Sequence, residues 1–252
     1  MRINAFTVED IPLITKDHNI AKIICSLAQL ENNDIIVVAS TIVSKAEGRI
    51  IDPDNISPTP EAIRISKQTD KDPTFVQAVL DECTEVILES PILLVRHTSG
   101  NICINAGIDH SNVEHGLMLL PVDPSKSARK LKDDILTLTG KQVSVIITDT
   151  NGRAFREGQT GIALGVAGIN THHDWRGSAD LFGTILEVAN EAVVDEIAGF
   201  ANCMMGEGNW GTPVVVIRGF GLLSDSDGMH SMYRSPKTDI IRNALKNYGS
   251  QP

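Results

Sequence analysis

Apolar positions recur along the chain with two periods, and segments of each kind are interleaved from end to end. Ile20, Ile23, Ile24 and Leu27 fall at i, i+3, i+4 and i+7, one face of a helix beginning near Asn19. Short apolar runs read instead as strands: Val143–Ile147 buried on both faces, Ile35–Ala39 buried, and Pro213–Ile217 a further strand. Ile3–Val8 predicts a first strand and Glu85–Leu88 a later one. Thr59-Pro60 and Asp72-Pro73, each a capping side chain followed by proline, predict helices near Glu61–Gln68 and Thr74–Glu82. Pro124–Thr139 predicts a helix with Ala128, Leu131, Ile135 and Leu138 on one face and Gly140 as its C-terminal cap. Thr98-Ser99-Gly100 joins Ile92–His97 to Asn101–Asn105 as a hairpin. The longest predicted helix is Glu187–Met205, with Val188, Ala192, Val193, Ile197 and Phe200 on one side. Gly161, Gly165 and Gly168 punctuate a segment open to either strand or packed helix. Thr171–Asp180 and Phe220–Met229 read as polar loops, and Thr238–Tyr248 as a closing helix. Helices and strands in this mixed order, with a hairpin among them, predict an α+β fold with mixed sheets. Residues 1–252 read as one functional unit of two lobes, with any boundary near Pro121–Pro124.

The chain is organised around Val143–Arg153. A buried strand delivers Thr148, Asp149, Thr150, Asn151 and Arg153 to one end, and strand ends are where ligands bind in sheets covered by helices. Asn151-Gly152 as an ordinary chain reversal is the alternative. The same pattern recurs weakly at Ile35–Arg49, where a strand runs into Ser40, Thr41 and Lys45. Ala106–Asn112 offers a third polar strand end with Asp109 and Asn112, and Glu207 sits in a glycine-rich loop after the longest helix. Hard cations take oxygen ligands, commonly one or two carboxylates with phosphate and water. Asp109, Asp149, Thr150 and Glu207 are the residue types such a site requires, and Lys45 is a point charge for a phosphate. Solvated loop carboxylates are the competing reading.

Gly206–Gly211 matches G-x-G-x-x-G, but a helix precedes it and a strand follows, the reverse of a dinucleotide-binding turn. No P-loop signature, G-x-S-x-G or H-E-x-x-H is present. His172-His173 reads as a solvated pair; His110 and His115 read as structural, with a place near a site as the alternative for His110; Trp175 and Trp210 read as loop-packing residues, with stacking on a ligand ring as the alternative. The net charge of -10, with no basic run, argues against nucleic acid and anionic membrane as partners. The four cysteines, Cys25, Cys83, Cys103 and Cys203, form no C-x-x-C pair, and three sit in apolar surroundings and read as small core residues, which suits a reducing, cytoplasmic setting. MRINAFTVEDIPL lacks the features of a signal peptide, and no run is apolar enough to span a membrane.

The segments DIPLI, ASTIVSKAEGR, FVQAVLDE, NAGIDHSNVE, ITDTNGRAFREG, VVDEIAGFANCMMGEG and PVVVIRG, in that order, resemble those of the coenzyme F420-0:γ-glutamyl ligase family. The resemblance covers most of the chain. It implies a two-lobed α+β fold particular to that family and an intertwined homodimer. It implies GTP-dependent addition of L-glutamate to the carboxylate of a deazaflavin coenzyme precursor, then γ-linked extension. On the matching motifs, Asp109, Asp149, Thr150 and Glu207 fall at divalent-metal positions, for Mg²⁺ or Mn²⁺, with K⁺ as a further cofactor. Ile11, Pro12, Leu13, Ile14, Ser40, Thr41, Lys45, Asn112, Met204, Met205, Gly206, Glu207, Gly208, Asn209, Trp210 and Gly211 fall at GTP-contacting positions. Lys45, Asp109 and Asp149 are the residues expected to carry the chemistry. A metal-dependent phosphohydrolase and a non-catalytic nucleotide-binding protein are the alternatives that the same acids allow.

Overall fold

Caps set most of the helix starts. The computed structural model describes residues 2–249, and in chain order it opens with β1 (Asn4–Thr7), α1 (Ile20–Leu27), β2 (Ile35–Ala39) and α2 (Ser40–Ala46). Next come β3 (Ile50–Ile51), α3 (Pro60–Thr69), α4 (Pro73–Asp81), β4 (Cys83–Leu88), β5 (Leu94–His97), β6 (Ile102–Ile104) and β7 (Leu117–Met118). Then follow α5 (Pro124–Thr139), β8 (Ser144–Arg153), β9 (Arg156–Ile169), β10 (His173–Asp174) and β11 (Asn190–Glu191). The last elements are α6 (Val193–Met205), β12 (Val214–Arg218), β13 (Leu223–Asp227) and α7 (Ile240–Gly249). The side chains of Asn19, Thr59, Asp72 and Asp123 each accept a backbone N–H of the first turn they precede, and proline opens α3, α4 and α5. Gly140 ends α5 in the left-handed conformation that the sequence predicts for it.

The chain divides into two units: residues 2–14, 18–43 and 123–232 form the first, and 15–17, 44–122 and 233–249 the second. In the first, six strands form one sheet in the order β1-β12-β2-β8-β9-β13. β2 and β8 are parallel, from Ile35 opposite Ser144 to Ala39 opposite Thr148, and all other neighbours are antiparallel. Ile36–Val38, Val145–Ile147 and Val214–Ile217 are wholly buried. Such continuous burial requires cover on both faces, and α5 and α6 both pack on this sheet. The second unit packs α3 and α4 with the β4-β5-β6 sheet around Ile65, Val76, Val79, Leu93, Val95 and Leu117. Arg49, Glu82 and His97 form a polar knot there. Arg49 Nη2 donates to Glu82 Oε2 at 2.5 Å, and His97 Nε2 stands 3.5 Å from the same oxygen. Among the described residues no helix is long and apolar enough to cross a membrane.

The structure corrects five sequence readings. The central strand does not stop at Thr148. It runs on to Arg153 as a ribbon with β9, and the chain reverses at Ala154-Phe155 rather than at Asn151-Gly152. Ser40–Ala46, read as a polar strand end, is helical. The helix expected over Glu187–Met205 starts only at Val193 and at 13 residues is shorter than the 16-residue α5, because Asn190-Glu191 pairs with His173-Asp174 as a hairpin and leaves Val188 89% exposed. Part of Phe220–Met229 is strand β13, pairing with β9. Of the cysteines only Cys103 is buried; Cys25 and Cys83 are half-buried and Cys203 is exposed. The glycine-punctuated segment is β9.

Candidate active site

Asp149 and Thr150 stand on β8 beyond the end of its parallel pairing with β2, opposite Ile162 and Gly161 of β9. Both are half-buried. Side chains alternate along a strand, so the Asp149 carboxylate and the Thr150 hydroxyl face opposite sides of the ribbon.

One extra residue in β9 sets where these two residues stand. Ile147 pairs with Gly165 but Thr148 pairs with Ala163, so Leu164 is a bulge. Two side chains satisfy the backbone groups beside it. Asp195, in the first turn of α6, accepts the Ala163 N–H at 2.9 Å. Thr148 Oγ1 donates to the Ile162 carbonyl at 2.9 Å. Burial raises the Asp195 carboxyl above the ordinary value, against the lowering effects of the Ala163 N–H and His172. The sequence names Asp195 only as part of a motif. Its position three residues into a helix that has no side-chain N-cap was the available signal.

α6 lies close against the ribbon below the bulge. A Cβ on Gly161 would come 2.6 Å from the Ala198 carbonyl oxygen, so only glycine permits this approach. At its far end α6 leads into the Gly206–Gly211 loop. Gly206 (φ 68) closes the helix by donating its N–H to Asn202 O at 3.0 Å. The Trp210 ring packs over Gly206, where a Cβ would meet it at 2.5 Å, and Thr212 Oγ1 donates to Met205 O at 3.1 Å. Glu207, Gly208, Asn209 and Trp210 are exposed. α6 therefore joins Asp149 and Thr150, through β9, to the loop that carries Glu207. Met205 is buried, whereas Met204 lines an apolar groove of about 580 Å³ with Ile3, Ala5, Ile197, Phe200 and Phe220. Ser40 is buried and Thr41 half-buried in the first turn of α2. In the Ile11–Ile14 segment Ile14 is buried and Leu13 is 89% exposed.

Lys45, Asp109 and Asn112 belong to the second unit. Lys45 is half-buried in the last turn of α2, and burial lowers its pKa. The Asp109 carboxylate is locked by its own turn. Oδ1 accepts the N–H groups of His110 at 2.7 Å and Ser111 at 3.0 Å, and Oδ2 accepts the Ser111 hydroxyl. Burial would raise this carboxyl, but the Ser111 and His110 donors hold it below the ordinary range. It is exposed, ionised at neutral pH and retains acceptor capacity on Oδ2, which fits a hard-cation ligand. His110 stacks on Phe75 at 5.3 Å, and Asn112 is exposed with φ 56. Trp175 stacks on the His173 ring at 4.0 Å. Among the described residues, neither unit by itself gathers three or more His, Cys, Asp and Glu side chains that could hold a metal.

These elements define an α+β protein with a mixed six-stranded sheet, built neither on a P-loop nor on a dinucleotide-binding turn, whose polar ribbon and glycine loop are joined by one helix. Residues 9–219 match the family model described as F420-0:gamma-glutamyl ligase. The chain is 50% identical over 247 residues to the coenzyme F420:L-glutamate ligase of Archaeoglobus fulgidus, covering 98% of this chain and 99% of that protein. The proteins of that name from Methanosarcina mazei and Methanothermobacter thermautotrophicus are 46% and 43% identical, covering 98% and 96% of this chain and 98% and 100% of theirs. The chain belongs to the F420-0:gamma-glutamyl ligase family.

Proposed function

We propose that this protein is a GTP-dependent ligase that joins L-glutamate to the carboxylate of the deazaflavin coenzyme precursor F420-0 and then adds further glutamates in γ-linkage. The observation that carries the reading is identity near one half, over essentially the whole chain, to proteins named coenzyme F420:L-glutamate ligase. A carboxylate and an ammonium do not condense at neutral pH without activation. Transfer of the GTP γ-phosphoryl group to the carboxylate gives an acyl phosphate and GDP. The deprotonated glutamate amine then attacks the acyl carbon, forms the amide and expels phosphate. In this scheme the protein positions the reactants and neutralises charge.

Asp109, Asp149, Thr150 and Glu207 would hold the divalent ions, Mg²⁺ or Mn²⁺, with K⁺ as a further cofactor. Bound there, such ions would neutralise phosphate charge. Support comes from the donor chemistry: three carboxylates, one of them, Asp109, exposed and kept ionised by its own turn. Lys45 offsets charge on the nucleotide phosphates. Residues Ile11–Ile14, Ser40, Thr41, Asn112 and the Met204–Gly211 loop complete the nucleotide contacts. The working protein is a homodimer in the cytoplasm.

Incubation with Mn²⁺, GTP, L-glutamate and the glutamate-free coenzyme tests the reading by mass spectrometry. The expected result is a coenzyme heavier by one or more glutamyl residues, absent when GTP is omitted. Steady phosphate release from GTP without acceptor, and no mass shift, would replace the ligase by a hydrolase. Neither product would leave a nucleotide-binding protein.

A further inference from the structure

The bulge in β9 is held by two side chains that the proposed chemistry does not use. Ala163 is 3% exposed, so its N–H beside the bulge cannot turn to bulk water, and the Thr148 side chain beside the half-buried Ile162 is itself only 2% exposed. Asp195 reaches across from α6 to the first at 2.9 Å, and Thr148 to the second at 2.9 Å. The register that follows is specific: Thr148 opposite Ala163, Asp149 opposite Ile162 and Thr150 opposite Gly161. Gly161 faces α6, whereas a Cβ on Gly165 would meet the backbone of Pro124, in α5, at 2.2 Å. Residues four apart share a face of an unbroken strand, so these two reach different helices only because of the extra residue between them. Removing the bulge would slip β9 by one residue against Thr148–Asn151 and turn Gly161 away from α6.

We propose that Asp195 and Thr148 are positioning residues for the cation site: by pinning the β9 bulge they fix where Asp149 and Thr150 stand relative to α6 and the loop that carries Glu207. This rests on the reading of Asp149 as a cation ligand. Asp195 acts as a hydrogen-bond acceptor, so its charge is dispensable and asparagine can replace it.

The test is Mn²⁺ binding to the full-length protein, read from the electron paramagnetic resonance signal of free Mn²⁺, with folding checked by circular dichroism. Asp195→Asn keeps an oxygen that can accept the Ala163 N–H, and its Mn²⁺ affinity stays within about threefold of the parent. Asp195→Ala weakens Mn²⁺ binding roughly 10- to 100-fold, the range expected when a support behind a metal ligand is lost. Thr148→Val, which keeps the shape and removes the hydroxyl, weakens it in the same direction. Arg218→Lys, at the other end of the sheet, controls for lost stability alone and leaves the affinity unchanged. A folded Asp195→Ala with parental affinity overturns the proposal, as does an Asp195→Asn as weak as the alanine variant. Should Asp195→Ala fail to fold, Thr148→Val decides: unchanged affinity overturns the proposal. Asp149→Asn separates the two levels. If it binds Mn²⁺ as tightly as the parent, the ligand reading itself falls; if it alone loses affinity, only the positioning role does.

Discussion

Arg218 holds together one end of the main sheet, and its removal has a calculable cost. It is the last residue of β12, and Asp34, directly before β2, is completely buried. Arg218 Nε donates to Asp34 Oδ1 at 2.7 Å and Nη2 to Oδ2 at 2.9 Å, a bidentate pair. Nη1 donates to Glu31 at 2.6 Å, and the guanidinium lies 5.8 Å from the centre of the Phe6 ring. Arg218→Met keeps the apolar stem and leaves Asp34 with the Glu31 N–H at 2.7 Å as its remaining side-chain donor. Stranding a buried charge costs about 3–5 kcal/mol. The Arg218 side chain is 25% exposed, so water can partly replace it and the lower end, about 3 kcal/mol, applies. Loss of the cation–π contact adds roughly 0.5 kcal/mol. The exposed Glu31 partner adds little. Urea unfolding followed by circular dichroism should show the midpoint falling by roughly 1–2 M at an unchanged slope. Arg218→Lys, which keeps the charge but loses the fork, should fall by less than half as much. Asp34→Asn combined with Arg218→Met should recover part of the loss, because no buried charge remains. A cost below about 1 kcal/mol for Arg218→Met, or a double variant as unstable as the sum of the singles, would refute the reasoning.

Three further outcomes are expected. Asp149→Asn abolishes glutamate transfer while the unfolding midpoint stays near the parent's; full turnover in that variant would remove Asp149 from the ion site. Gly161→Ala drives a Cβ to 2.6 Å from the Ala198 carbonyl, so α6 must shift. It costs about 1–3 kcal/mol and weakens Mn²⁺ binding along with it, whereas an unshifted midpoint would show that α6 does not need this close approach. Burial would raise the Glu82 carboxyl, but the Arg49 hydrogen bond and the His97 ring 3.5 Å away outweigh it and hold the carboxyl below its ordinary value. The folded value is the lower one, so the stabilisation is complete above the unfolded value and is lost as pH falls through the folded one. Glu82→Gln should therefore be the less stable protein at neutral pH, and its deficit should shrink between about pH 5 and pH 3. A deficit constant across that range would contradict the assignment.

Local rules made part of this fold legible and left part of it hidden. Thr59-Pro60, Asp72-Pro73 and Gly140 are caps whose geometry is decided within a few residues, and α3 and α4 begin and α5 ends where they say. Val188 broke the rule for α6. It continues the helical period of Val193 and Ile197, yet the Asn190-Glu191 pairing with His173-Asp174 takes that stretch into a hairpin. β13 was invisible because Leu-Ser-Asp-Ser-Asp has no apolar alternation; its backbone joins β9 at Leu223 opposite Ile169 and Asp227 opposite Ala167. The candidate residues themselves were legible as chemistry, as carboxylates beside hydroxyls and glycines. What supports them was not, because Asp195 and Ala163 are 32 residues apart and meet through a bulge that no sequence period announces.

The two strands with the same pattern show how the setting of a polar segment decides what it becomes. β2 and β8 are parallel neighbours, and Ser40-Thr41 and Asp149-Thr150 lie just past the end of their pairing. On the far side of β2 the antiparallel partner begins at Val214, after a proline, and Ala39 donates its N–H to Pro213 O at 2.9 Å. Beyond Ala39 that side offers no further strand, and the chain satisfies its backbone internally by coiling into α2. β8 has β9 on its far side for its whole length, so Asp149, Thr150 and Asn151 stay extended and take their hydrogen bonds from the ladder. The extension carries Asp149 and Thr150 past the sheet and makes their placement depend on β9. Positional accuracy at the proposed cation site is thus a property of the β9 bulge and of the helix that pins it, which is why Asp195 should matter to metal binding without touching the metal.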